Sequence, residues 1–237
     1  MKTTKLTAGK KAWITRRKNL NKVENLTPAQ KAWVTRKKNT GKKVKVFEDN
    51  KACSGKEIVR MYLEKFTIES AEKFGIKRGI VPTLSATKCR MERILNQNEI
   101  LRELKYIPIE MGLKNFRELG DNIKKEKWGF MQQPIHSKFF DVIKNFKEDS
   151  CAHVFADFCK TFITHEKDVI TILAKNMVVV GGNIWITVSQ RGCKGTYNKL
   201  KTLIKSFDNY EILDIPKAYA KYRDGGGMVS IVIRRVK

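Results

Sequence analysis

Two hydrophobic periods take turns along most of this chain. Residues 56–74 place Ile58, Tyr62, Leu63 and Phe66 at helical spacing. Beyond residue 75, short apolar runs alternate with helical stretches. The runs cover 80–86, 104–110, 127–135, 151–158, 183–189, 210–216 and 227–236, and the helical stretches cover 87–98, 115–126, 136–146, 165–178 and 196–207. Strands alternating with helices of this length predict an α/β sheet with mostly parallel strands. The last two runs are too close in sequence for a long crossover. They are expected to form a C-terminal antiparallel hairpin around Gly225-Gly226-Gly227. Pro82 and Pro108 fall inside two presumed central strands, where each removes a ladder donor.

Before residue 45 this pattern is replaced by a repeat. TAGKKAWITRRKN (7–19) returns as TPAQKAWVTRKKN (27–39), with Lys11, Trp13 and Arg16 recurring as Lys31, Trp33 and Arg36. Few large apolar residues lie in this stretch, so it cannot bury much of a core by itself. Thr27-Pro28 reads as an N-cap followed by proline at the first helical position, and each unit as one short helix that forms on binding. The chain is therefore expected to divide into a basic, partly helical tail and linker (1–50) and an α/β domain (51–237).

Charge sharpens this division. The 237 residues carry a formal net charge of +25, and residues 1–60 hold 18 of the 49 Lys and Arg but 4 of the 24 Asp and Glu. An excess of this size calls for a polyanionic partner, with nucleic acid first and an acidic membrane surface second. Each repeat sets a Trp among cations: Lys11, Trp13, Arg16 and Arg17 in the first unit, and Lys31, Trp33, Arg36 and Lys37 in the second. The cations suit phosphates and the indoles suit base stacking; alternatively, the two Trp side chains pack the helices on each other. DNA is expected ahead of RNA. Neither a membrane-spanning run nor an apolar signal core is seen, so the expected location is intracellular, cytoplasmic or nucleoid-associated, or a host cell for a viral protein. The five Cys lack CxxC spacing and the three His form no spaced ligand pair, so no metal centre is expected.

In an open parallel sheet, ligands sit beyond the carboxyl ends of the strands. Those ends offer Leu84, Ser85, Ala86 and Thr87 after the first run, Glu110 after the second, and Asp157 with Phe158 after the fourth. The loop after the fifth carries Arg191 and Lys194, a candidate phosphate clamp or an ordinary solvated loop. Glu110 follows the Leu84-Ser85 turn by about 25 positions, near the spacing at which an acid receives a ribose hydroxyl pair. Equally, it is a solvated acid at a strand end, and Asp157 a turn or capping acid. No GxGxxG or GxxxxGK[ST] loop is present, which argues against pyrophosphate binding.

The order of elements, the acid ending the second strand, Asp157 ending the fourth and the C-terminal hairpin together resemble class I S-adenosylmethionine-dependent methyltransferases with a Rossmann-like sheet. VFADFCKTF and GGNIWITVSQRG are similar to the fourth-motif and fifth-strand segments of divergent phage and viral members. The Ala-Trp-x-Thr-Arg units resemble basic repeats appended to phage and mobile-element proteins. The resemblance covers about residues 56–237. It implies S-adenosylmethionine held by Leu84, Ser85, Ala86, Thr87, Glu110, Asp157 and Phe158, with Asp157 also catalytic. The family's first motif has an acid and Gly-x-Gly where this chain reads TLSAT, and this chain's fourth-motif segment, VFADFCKTF, is neither Asn/Asp-Pro-Pro-aromatic nor Pro-Cys. Two functions stay open: a nucleic-acid methyltransferase held to substrate by its tail, or a methyltransferase-like nucleic-acid-binding protein without activity.

Overall fold

The computed structural model describes residues 55–190, 195–213, 215, 221–222 and 227–237, all within the compact unit Cys53–Lys237. The repeats with their Lys11, Trp13, Arg16, Arg17, Lys31, Trp33, Arg36 and Lys37, and also Arg191 and Lys194, lie outside the described residues.

The described chain runs α1 (Gly55–Phe74), β1 (Arg78–Thr83), α2 (Arg90–Asn96), a 3-10 turn (Glu99–Leu101), β2 (Glu103–Glu110), α3 (Leu113–Lys125), β3 (Ile135–His136) and α4 (Phe139–Ile143). It continues with β4 (Val154–Thr161), α5 (Phe162–Ala174), β5 (Asn183–Ser189), α6 (Thr196–Lys205), β6 (Tyr210–Leu213), β7 (Lys221–Tyr222) and β8 (Met228–Arg235). The strands form one sheet in the order β3-β2-β1-β4-β5-β8-β6, with β7 paired to β8. β1 to β5 run parallel, while β8 is antiparallel to both β5 and β6. This is the expected Rossmann-like α/β sheet with its C-terminal antiparallel pair. The strand order reverses between β1 and β4, which makes their carboxyl ends the switch point at which such sheets bind ligands.

Helical periodicity decides which faces are covered. Val59, Leu63 and Phe66 of α1, Met91 and Leu95 of α2, and Leu119 and Ile123 of α3 are buried on one side of the sheet. Phe139 and Ile143 of α4, Val169, Ile172 and Leu173 of α5, and Leu200 and Ile204 of α6 are buried on the other. β5 is buried at every position, as suits a central strand covered on both faces.

Several boundaries differ from the sequence reading. β1 ends at Thr83 instead of reaching residue 86, because the chain turns away, with Cys89 N–H donating to the Ala86 carbonyl. Of the expected strand 127–135, Ile135 begins the two-residue β3 and Met131 forms an isolated bridge with Tyr106. β4 continues past Asp157 to Thr161, so α5 starts three residues earlier than expected. The prolines are tolerated for a shared reason. The Ile80 carbonyl and Leu84 N–H both bond toward the β4 side, so the missing donor of Pro82 faces β4, which β1 pairs only at Thr83↔Phe155. By the same alternation from Tyr106, Pro108 faces the short edge strand β3.

Candidate functional site at the carboxyl edge of the sheet

The loop after β1 closes around a buried carboxylate. Glu92, in the first turn of α2, is 3 % exposed, and its Oε1 accepts hydrogen bonds from Thr83 Oγ1 at 2.7 Å and Ser85 Oγ at 2.6 Å. The Ser85 hydroxyl is thus committed to the protein. Leu84 is half-buried and packs on the core, Ala86 is exposed, and the Thr87 carbonyl accepts from Asn122 Nδ2 of α3. Cys89, just before α2, has φ 43, in the left-handed region that non-glycine residues seldom adopt. Burial first, and the Glu92 charge second, push its thiol far above the usual range and raise the Tyr106 phenol in the same way. A buried acid therefore stands at the end of β1, although TLSAT contains none. The sequence reading missed Glu92 because it comes from the following helix; the one available signal was an acid on a helix turn otherwise facing the core.

At the end of β2, Glu110 is half-buried, and its Oε1 accepts the Gly112 N–H at 2.6 Å. A Cβ on residue 112 would lie 3.0 Å from that oxygen, so glycine lets the carboxylate fold back over the start of α3. Oε2 makes no hydrogen bond within the described residues. Apolar groups flank the acid: Met111, Leu113 and Ile135 are 56 %, 48 % and 37 % exposed. His136, paired with Glu110 in the β2–β3 ladder, shares a 2.9 Å hydrogen bond with the Met111 carbonyl and packs its ring on Phe116.

Within β4, four residues before its end, Asp157 is the last residue in regular register with β5, opposite Thr187, before the ladder shifts. It is half-buried and has an interaction partner. Phe158 is 1 % exposed, edge-on to Phe139 and stacked on His165. The register Thr83↔Pro108 and Thr83↔Phe155 puts Ser85, Glu110 and Asp157 level on three neighbouring strands, just past the end of β1, at the end of β2 and within β4, with Phe158 in the core. Exposed lysines follow the same edge: Lys88 after β1, Lys114 after β2, Lys138 after β3 and Lys160 near the end of β4. No cluster of His, Cys, Asp or Glu able to hold a metal occurs among the described residues, and none of their helices is long and apolar enough to cross a membrane.

No protein-family profile and no curated protein matches the sequence. Solved structures do match the fold. A candidate methylase of Haemophilus influenzae superposes with a TM-score of 0.53 at 12 % identity, covering 75 % of this chain and 99 % of its own. A candidate rRNA methylase from Clostridium thermocellum gives 0.50 at 14 % identity, covering 76 % and 94 %. A protein from Corynebacterium glutamicum gives 0.50 at 13 % identity, covering 95 % and 98 %. This chain has the fold of these proteins.

Proposed function

We propose that the protein is an S-adenosylmethionine-dependent methyltransferase acting on nucleic acid, with the basic repeats of residues 7–39 holding the substrate. The observation that carries this reading is the alignment of three acids along the switch-point edge: Glu92 under the β1 loop, Glu110 at the end of β2 and Asp157 in β4, level with Glu110 by register. They suit the cofactor in three ways. Glu110 offers a carboxylate oxygen to the ribose hydroxyls, and the exposed Met111, Leu113 and Ile135 give an adenine ring an apolar bed. The β1 loop, braced from beneath by Glu92, keeps Leu84 to Thr87 in one shape for the rest of the ligand. When bound, the cofactor supplies an electrophilic methyl group. Asp157 accepts a hydrogen bond from the receiving group and orients its lone pair.

A nucleic-acid substrate is supported by the +25 charge, the Trp-bearing repeats, the lysines along the strand ends, and Arg191 and Lys194, which follow β5 in the sequence. The sequence reading places DNA first, while the description of the Clostridium protein as an rRNA methylase favours RNA, so both belong in the assay. The TLSAT departure favours a second reading, a nucleic-acid-binding module of the same fold without transfer. Labelled methyl transfer to duplex DNA and to transcribed RNA separates the two. Asp157→Ala is expected to lower transfer at least about a hundredfold with the fold intact; undiminished transfer by that variant means Asp157 only caps a turn.

A further inference from the structure

His165 is the fourth residue of α5, which follows β4 without a loop. It therefore stands one helical turn beyond the end of β4 at Thr161, and its ring lies on Phe158, the residue next to Asp157. Two contacts fix its ring. It stacks on Phe158 at 4.0 Å between centroids and 12° between planes, and Phe158 is itself held edge-on by Phe139 at 5.5 Å and 84°. Its Nδ1 lies 2.6 Å from Asp168 Oδ2. Asp168 lies three residues on in the same helix and is 8 % exposed, so this is a buried pair on one helix face and not a solvated one. Burying a carboxylate is costly, and here the cost is offset by a short hydrogen bond to one imidazole. The His165 side chain remains 20 % exposed, and its Nε2 makes no hydrogen bond within the described residues.

A carboxylate on Nδ1, a ring locked in place and a bare Nε2 near a ligand edge are the parts of an oriented general base. We infer that His165 is a catalytic residue that takes the proton from the methyl-receiving atom, with Asp168 as its positioning residue. This rests on the methyltransferase reading and narrows its substrate: the receiving group is an amino group of a nucleotide, with one hydrogen for Asp157 and a second that it gives up as it is methylated. The bond from the amino nitrogen to the methyl carbon forms as the sulfur–carbon bond breaks, and the sulfur leaves as a neutral thioether. The acceptor's proton passes to His165 Nε2, and the imidazolium, stabilised by the Asp168 charge, releases it to water. The acceptor–hydrogen electron pair stays on the acceptor, so charge balances with no oxidant or reductant.

The test has a structural and a kinetic arm. The chain has three histidines, so an imidazole nitrogen spectrum of ¹⁵N-histidine-labelled protein, compared with that of His165→Ala, isolates the His165 signals. In the neutral form of the ring, the proton is expected on Nδ1, facing Asp168. A proton on Nε2 leaves that atom unable to accept and overturns the inference whatever the activity. In single-turnover methyl transfer to duplex DNA and transcribed RNA, His165→Ala should lower the rate about 10²–10⁴-fold at unchanged cofactor affinity, and added imidazole should restore part of it. Asp168→Asn, which keeps shape and packing, should lower the rate about tenfold and abolish the tautomer preference. Wild-type transfer with an undiminished His165→Ala rate overturns this inference and leaves the methyltransferase reading standing. No transfer by the wild type overturns both.

Discussion

Replacing Glu92 tests whether the β1 loop is built on a buried acid. Glu92→Ala leaves the hydroxyls of Thr83 and Ser85, 2 % and 5 % exposed, without their shared acceptor. A hydrogen bond to a charged group contributes about 1.5–3 kcal/mol. The two end on one oxygen, so they do not add in full, and removing a buried charge returns part of the loss. The net destabilisation is about 2–4 kcal/mol. Glu92→Gln keeps an oxygen acceptor and should lose about 1 kcal/mol. In urea, with a slope of about 2 kcal/mol per molar, the alanine variant's midpoint falls by about 1–2 M at unchanged slope. An alanine midpoint within about 0.2 M of the wild type refutes the reasoning, because two buried hydroxyls left with only each other, Ser85 Oγ donating to Thr83 Oγ1 at 3.3 Å, cannot be free of cost.

Acid lability should come in part from His153. Burial first, and the Arg234 charge second, lower its pKa from 6.5 to about 3, and its Nδ1 accepts the Asn183 N–H. The unfolded chain binds this proton near pH 6.5 and the folded chain does not, so stability is intact above that pH. It falls by about 1.4 kcal/mol per unit as pH drops from 6.5 toward 3. Urea midpoints for the wild type and His153→Leu across that window check this; parallel pH profiles exclude the role. Deleting residues 1–44 should weaken binding to labelled duplex and single strands at least about tenfold and flatten its salt dependence, because each phosphate contact contributes a slope of about −0.9 on duplex DNA. Trp13→Ala combined with Trp33→Ala should weaken binding with little change in slope, and anisotropy over a salt series showing equal affinity and slope for full-length and shortened chains assigns the repeats another task.

How far the sequence reached depended on how local each feature is. The alternating periods located most strands and helices, and the acid ending the 104–110 run lies at the end of β2. Strand ends were less legible: Ser85 reads as a small residue open to a ligand, yet its hydroxyl is spent on Glu92. That contact joins residues seven apart through a turn at a left-handed Cys89, and no periodicity encodes it. His165 reads as the start of a helix. Its stack on Phe158 depends on β4 running on to Thr161 and α5 beginning at once. Pro82 and Pro108 look like objections to two strands until the sheet order shows that each faces the sparsely paired side.

The central claim is that this edge binds S-adenosylmethionine through Glu110. Calorimetric titration of the full chain with S-adenosylmethionine and with its demethylated product addresses it most directly. The account predicts saturable one-to-one binding by the wild type. Glu110→Ala should weaken it by about 2–4 kcal/mol, the loss of a pair of charge-assisted hydrogen bonds to the ribose. No heat of binding to the wild type at millimolar ligand, or equal affinity in the Glu110→Ala variant, contradicts it.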